Sequence, residues 1–183
     1  MSLGIKLVQA VQKETAMKRP LPLQATVNDR LHGNGRRSTS ITASVTLSDN
    51  DRFSHLAEDV TVTVTRIAEG TSAEEMPRSR SKPSLEEKAQ RFVQRATYLV
   101  ESLQFVEMDA GGSAILRSSP ETMRAPRSEY FEATVDVDAL TLKRFQPHAT
   151  EPGREQIPFC ITDEVLARLV EDAAAVLAPQ SQK

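Results

Sequence analysis

Hydrophobic and polar positions alternate over several short stretches of the chain, which is the pattern of strands with one buried face. Three such stretches come early, at residues 21–27, 41–47 and 60–65. Others follow at 105–108, 114–117, 131–145 and 157–161. The turn His32-Gly33-Asn34-Gly35 joins the first two stretches, and Asn-Gly favours a tight hairpin because it accepts the left-handed backbone angles such turns need. The pattern therefore predicts two groups of strands connected mainly by short turns.

Apolar residues recur at three- and four-residue steps in three other segments, which is typical of amphipathic helices. The longest segment is 84–105, where Ser84 and Glu87 have the spacing of a capping box. The others lie near the two ends of the chain, at 3–17 and after the capping residue Thr162. We expect the helix at 84–105 to be the one around which the sheet is built.

The predicted order is α-βββ-α-βββ(β)-α. Short turns imply an antiparallel sheet, and helices with one apolar face must pack against it, so we expect a two-layer α+β fold with about six to seven strands. This order of elements resembles the layout of the small acidic secretion chaperones. A chain of 183 residues suits a single domain, 1–183. Charged, proline-containing segments at 70–83 and 118–129 are expected to be mobile loops, and 179–183 a disordered tail.

Composition narrows the classes of partner. The net charge is −2, the isoelectric point is near 6.0, aromatics make up 4% and tryptophan is absent, so nucleic acid is not the expected partner. No signal-peptide pattern and no apolar run of ~18 residues is found, which predicts a cytoplasmic protein outside the membrane. The single cysteine, Cys160, cannot form an internal disulfide.

Two kinds of segment could bind an anion. The glycines beside His32, Arg36 and Arg37 would let backbone amides approach one, although polar residues also flank ordinary hairpins. Two arginine-bearing loops could converge on the same site, and solvated loops have the same composition. Their candidate ligand-binding residues are Arg78, Arg80, Arg124 and Arg127.

Other polar residues are weaker candidates for chemistry. His55 is close in sequence to Asp51, Glu58 and Asp59. A carboxylate beside an imidazole could serve acid–base chemistry, and charged residues at this spacing are also typical of a polar linker. Cys160, between Phe159 and Ile161, reads as a small buried hydrophobe. The histidines are not spaced as metal ligands are, so no metal is predicted. The sequence has no catalytic or cofactor-binding motif, so no catalytic residue and no cofactor are predicted either.

Threonine and serine alternate on two neighbouring predicted strands, and their hydroxyls should share one sheet face. The residues are Thr42, Ser44 and Thr46 on one strand and Thr61, Thr63 and Thr65 on the next. Such a face could bind a polar polymer, and it is also what the high β-propensity of threonine produces on a solvated sheet.

The leading hypothesis is a non-catalytic, cytoplasmic protein-binding or chaperone-like domain that binds its partner through an exposed sheet face or helix. This domain is expected to be a homodimer. An enzyme for a small anionic substrate held by the arginine-bearing loops is the alternative. Nucleic-acid binding through the same loops is a third hypothesis.

Overall fold

The computed structural model of the protein describes residues 1–32, 37–51, 54–68, 84–118, 129–148 and 150–178. Over these residues it has three helices and nine strands, in the α+β class predicted. The helices are α1 (Leu3–Ala16), α2 (Leu85–Arg95) and α3 (Asp163–Leu177). The strands are β1 (Leu23–His32), β2 (Arg37–Asn50), β3 (His55–Ala68), β4 (Leu103–Met108), β5 (Ala114–Ser118), β6 (Tyr130–Val135), β7 (Ala139–Pro147), β8 (Arg154–Ile157) and β9 (Phe159–Ile161).

All nine strands belong to one antiparallel sheet. Its main path runs β1-β2-β3-β7-β6-β5-β4, so the two groups of strands meet where β3 pairs with β7. β8 pairs with the end of β7, and β9 pairs with the start of β3. The predicted hairpin is confirmed, because β1 and β2 pair without interruption from Leu23 opposite Leu47 to His32 opposite Ser38.

The three helices pack on one face of this sheet, and the core lies between the two layers. Alternate strand residues such as Val45, Val62 and Leu142 are buried there together with Leu7 and Leu169 from the helices. α3 is the middle helix and contacts α1, α2, β3 and β7. The expectation that the helix at 84–105 organises the sheet is therefore wrong, since α3 holds that position.

The predicted helix at 84–105 is also too long. Its capping box is confirmed, with Glu87 N–H donating to Ser84 Oγ at 3.1 Å and Ser84 N–H donating to Glu87 Oε2 at 2.9 Å. The helix ends at Arg95, and Leu103 begins β4 instead. Pairing with β5 buries Leu103, and this tertiary gain overrides the helical spacing of the apolar residues.

Three predicted loop or tail segments lie wholly or mostly outside the described residues. The loop 70–83 and the tail 179–183 lie outside them, as do residues 119–128 of the second loop. Ser118 does not open a loop: it ends β5, is buried and donates to Glu101.

Candidate functional site

The sheet face opposite the helices, here called the open face, carries hydroxyl side chains on its central strands. One row of five crosses β1, β2, β3, β7 and β6 in register: Thr26, Ser44, Thr61, Thr141 and Thr134. A shorter row beside it holds Asn28, Thr42 and Thr63. The described helices all pack on the other face. The predicted sharing of one face by the hydroxyls of β2 and β3 is thus confirmed, and the array extends over three more strands.

Hydrogen bonds within these rows hold some of the side chains in place. Thr61 Oγ1 and Thr141 Oγ1 lie 3.1 Å apart across the β3–β7 pair, and Thr42 Oγ1 donates to Asn28 Oδ1 at 2.6 Å. Threonine is also stiff at χ1 because its Cβ is branched. Each hydroxyl has one donor and two acceptor sites, so capacity remains after these contacts. The rows are a stiff, partly exposed array of donors and acceptors.

A second group of side chains, the arginine–aromatic cluster, lies at one end of the open face. Its members are Arg117, Tyr130, Glu132, Phe145 and Arg154. The sheet register brings them together, since Glu132 of β6 is opposite Arg117 of β5 and Tyr130 is opposite Phe145 of β7. Arg154 comes from β8, which pairs with the end of β7.

Both arginines of the cluster contact one carboxylate oxygen. Arg117 Nε donates to Glu132 Oε2 at 2.8 Å, and Arg154 Nη1 donates to the same oxygen. Arg154 Nη1 also donates to the Tyr130 hydroxyl at 3.2 Å. The Arg154 guanidinium carbon lies 4.3 Å from the centre of the Phe145 ring, and that of Arg117 lies 5.9 Å from the Tyr130 ring. The guanidinium groups are therefore fixed by both a carboxylate and aromatic rings.

The charges in the cluster are strongly coupled. Burial alone would raise the pKa of Glu132, but hydrogen bonds and positive charge from Arg154 and Arg117 outweigh it and hold this pKa below its usual value. The hydrogen bond to Glu132 likewise raises the pKa of Arg154. Glu132 is therefore an anion under Arg154 and Arg117, and the cluster keeps one positive charge in excess.

His55 is buried on the helix side of the sheet, and it takes part in a polar network whose other side chains are partly or fully exposed. Its Nε2 is 2.7 Å from Asp163 Oδ1 at the start of α3, and its Nδ1 contacts Asn50 Oδ1. Asn50 Nδ2 donates to Thr15 Oγ1 at 2.8 Å, and Gln12 Nε2 donates to Asp163 Oδ2 at 2.8 Å, so the network joins α1, β2, β3 and α3.

This network has a histidine beside a carboxylate, as an acid–base site would, but both ring nitrogens of His55 are already engaged. The interpretation of His55 as part of a polar linker is wrong, because it is the buried first residue of β3. Its carboxylate partner is Asp163, 108 residues away, which local sequence spacing does not indicate. The arrangement suits a structural link between the layers.

Most of the residues predicted to bind an anion lie outside the described residues. These are Arg36, Arg78, Arg80, Arg124 and Arg127. His32 is the last residue of β1 and Arg37 is the first residue of β2, and only the backbones of these two residues are described. The convergence of the arginine-bearing loops thus stays a prediction.

Cys160 differs from its interpretation as a buried hydrophobe. Its flanking residues Phe159 and Ile161 are buried, whereas Cys160 is exposed, as strand alternation requires. Among the described residues no group of three or more His, Cys, Asp or Glu side chains could hold a metal ion. None of the described helices has the length and apolar character needed to span a membrane.

Comparison with protein-family models, with curated proteins and with solved structures finds no match to this chain. The chain's own residues therefore carry the functional inference.

Sequence reasoning missed the arginine–aromatic cluster. The strand predicted at 114–117 already contained Arg117, and the structure places this residue in β5. Alternation at Tyr130 and Glu132 was enough to place these two on one face, but Arg154 lies 22 residues further along the chain than Glu132. Only the pairing of β8 with β7 brings Arg154 near.

Proposed function

We propose that this chain is a non-catalytic, chaperone-like protein-binding domain whose open face receives an extended polar segment of a partner protein. The observation that carries the proposal is the row of hydroxyl side chains that crosses five strands in register, from Thr26 to Thr134. A sheet face that only has to contact water does not need hydroxyl side chains aligned across five strands. Charged residues would keep such a face hydrated equally well.

The spacing of the hydroxyls supports an extended polypeptide as the occupant. Along β2, Thr42, Ser44 and Thr46 recur every second residue, which is a repeat of about 6.8 Å in an antiparallel strand. The carbonyl groups on one side of an extended peptide recur at the same distance. A segment lying along β2 and β3 would thus meet a hydroxyl at each repeat.

The His55 network supports binding rather than catalysis. Both ring nitrogens are occupied within the described residues and the side chain is buried, so His55 has no nitrogen directed at a substrate. The enzyme and nucleic-acid alternatives were predicted on arginines that lie outside the described residues.

The assembly and the compartment are parts of the same proposal. β1 lies at the edge of the sheet, and no described strand pairs with its outer side, so a second copy of the chain could extend the sheet there as a homodimer. An exposed free thiol at Cys160 suits the reducing cytoplasm. Native mass spectrometry of the purified chain should then give the mass of two chains.

Affinity capture with matched variants tests the binding function. Ser44→Arg places a long charged side chain in the middle of the open face, and Ala175→Arg places the same side chain on the exposed side of α3. Proteins captured by the wild-type chain should be lost with Ser44→Arg and retained with Ala175→Arg. Equal capture by all three proteins would contradict the proposal, as would a reproducible turnover abolished by changing one polar side chain.

A further inference from the structure

We propose that Arg117 and Arg154 form a carboxylate-binding site for an acidic group of the partner segment. This inference rests on the proposed function, because it names the group by which a protein segment on the open face is anchored. The acidic group is either an Asp or Glu side chain or the carboxyl terminus of the partner, which present the same chemistry.

The two guanidinium groups are ordered before any ligand arrives. Glu132, only 6% exposed, contacts both of them. Arg154 also stacks on the Phe145 ring at 4.3 Å, and the guanidinium carbon of Arg117 lies 5.9 Å from the centre of the Tyr130 ring. An arginine that is already ordered loses little side-chain entropy when it binds. Planar guanidinium groups match the geometry of a carboxylate.

Donors remain on both arginines. Each guanidinium has five N–H groups, and the contacts within the cluster use Nε of Arg117 and Nη1 of Arg154. The described residues leave both Nη groups of Arg117 and Nη2 of Arg154 for a ligand. The side chains are 37% and 39% exposed, so these donors are within reach from the open face.

The balance of charge favours a carboxylate over a phosphate group. Two guanidiniums over one buried carboxylate leave one positive charge. Lys143 of β7 lies opposite Glu132 on one side and opposite Asp59 on the other, so the further pair of Lys143 and Asp59 adds no net charge. One carboxylate neutralises the site, whereas a phosphate dianion would leave a negative charge in excess.

Four probes and two matched variants test the site on the full chain by NMR titration of backbone and arginine Nε–H signals. The first probe is a capped peptide of alternating Thr and Glu, and the second is the same peptide with Gln for Glu. The third is the Gln peptide with a free carboxyl terminus, and the fourth is inorganic phosphate.

Arg154→Lys keeps the charge but loses the planar fork. Arg168→Lys is the control, since Arg168 also stacks on a ring, 4.4 Å from Tyr98, but lies on α3.

The Glu peptide should bind and shift the signals of Arg117 and Arg154, and Arg154→Lys should weaken this binding about tenfold. Arg168→Lys should change it less than about twofold. Stronger binding of the third probe than of the first would assign the site to a carboxyl terminus. Equal binding of the Glu peptide and the capped Gln peptide would overturn the carboxylate site while leaving the proposed function intact. Tighter binding of phosphate than of the Glu peptide would also overturn the carboxylate site. If the Glu peptide shifts only NMR signals of the three helices, both the carboxylate site and the proposed binding function are contradicted.

Discussion

His55 Nε2 lies 2.7 Å from Asp163 Oδ1, so the first residue of β3 is joined to the first turn of α3 across 108 positions of sequence. Asn50 holds the other ring nitrogen, and Gln12 of α1 binds the second oxygen of Asp163. The buried imidazole thus links the sheet directly to α3, and the side chains of Asn50 and Asp163 extend the link to α1. The contact stabilises the layer that supports the open face.

Replacing His55 by leucine should lower the free energy of unfolding by about 1–3 kcal/mol, because Asn50 and Asp163 lose a buried partner. Urea denaturation measures the loss. His148→Leu is the control, since His148 is exposed, and it should change stability by less than about 0.5 kcal/mol. Equal effects of the two substitutions would show that the His55 network is not a structural link.

The contact of α1 with α3 depends on a glycine. A Cβ on Gly4 would lie 2.8 Å from Cα of Ala167 and closer still to its carbonyl oxygen. We therefore expect Gly4→Ala to destabilise the protein by about 1–3 kcal/mol, as overpacking does, although alanine favours helices. Thermal denaturation compares it with Gly111→Ala, where the nearest atom is a flexible carboxylate oxygen at 3.3 Å. A Gly4→Ala protein as stable as the wild type would mean that the two helices are not in this contact.

Acid should destabilise the protein through Glu132. Its pKa is lower in the folded chain than its usual value of 4.5, because Arg154 and Arg117 outweigh the effect of burial. The resulting stability is present above about pH 4.5 and is lost as pH falls through the folded pKa. Denaturation at several pH values between 7 and 3 should show a shallower loss for Glu132→Gln than for the wild type. Identical slopes would contradict the coupling within the cluster.

Alkali should act through Tyr98 on the helix side. Burial, and then the negative charge of Asp172, raise the pKa of Tyr98 above its usual value of 10.0, against the opposing charges of Arg168 and Arg95. Because the raised pKa belongs to the folded state, this stability is present below about pH 10 and is lost as pH rises above it. Unfolding free energies at pH 8 and pH 10.5 should fall more for the wild type than for Tyr98→Phe. If the free energy of unfolding falls equally in the two proteins between pH 8 and pH 10.5, the folded protein does not raise the pKa of Tyr98.

Local patterns in the sequence were enough to predict the fold class and the hydroxyl side chains that β2 and β3 contribute to the open face. Alternation placed Ser44 and Thr61 on one face, and the capping box at Ser84 marked the start of α2. The end of α2 was not predictable in the same way, because Leu103 fits a helical stripe and a strand equally well, and its pairing with β5 decides the outcome. Contacts such as His55 with Asp163 depend on long-range packing that spacing does not encode.

Site-specific photo-crosslinking in cells tests whether the open face binds another protein. A photoreactive side chain is placed at Thr61, in the middle of the hydroxyl row, or at Ala175, on the exposed side of α3. We expect discrete crosslinked products from position 61, heavier than the chain by the mass of a different protein, and none from position 175. Products only from position 175, or products from position 61 with the mass of two copies of this chain, would contradict it.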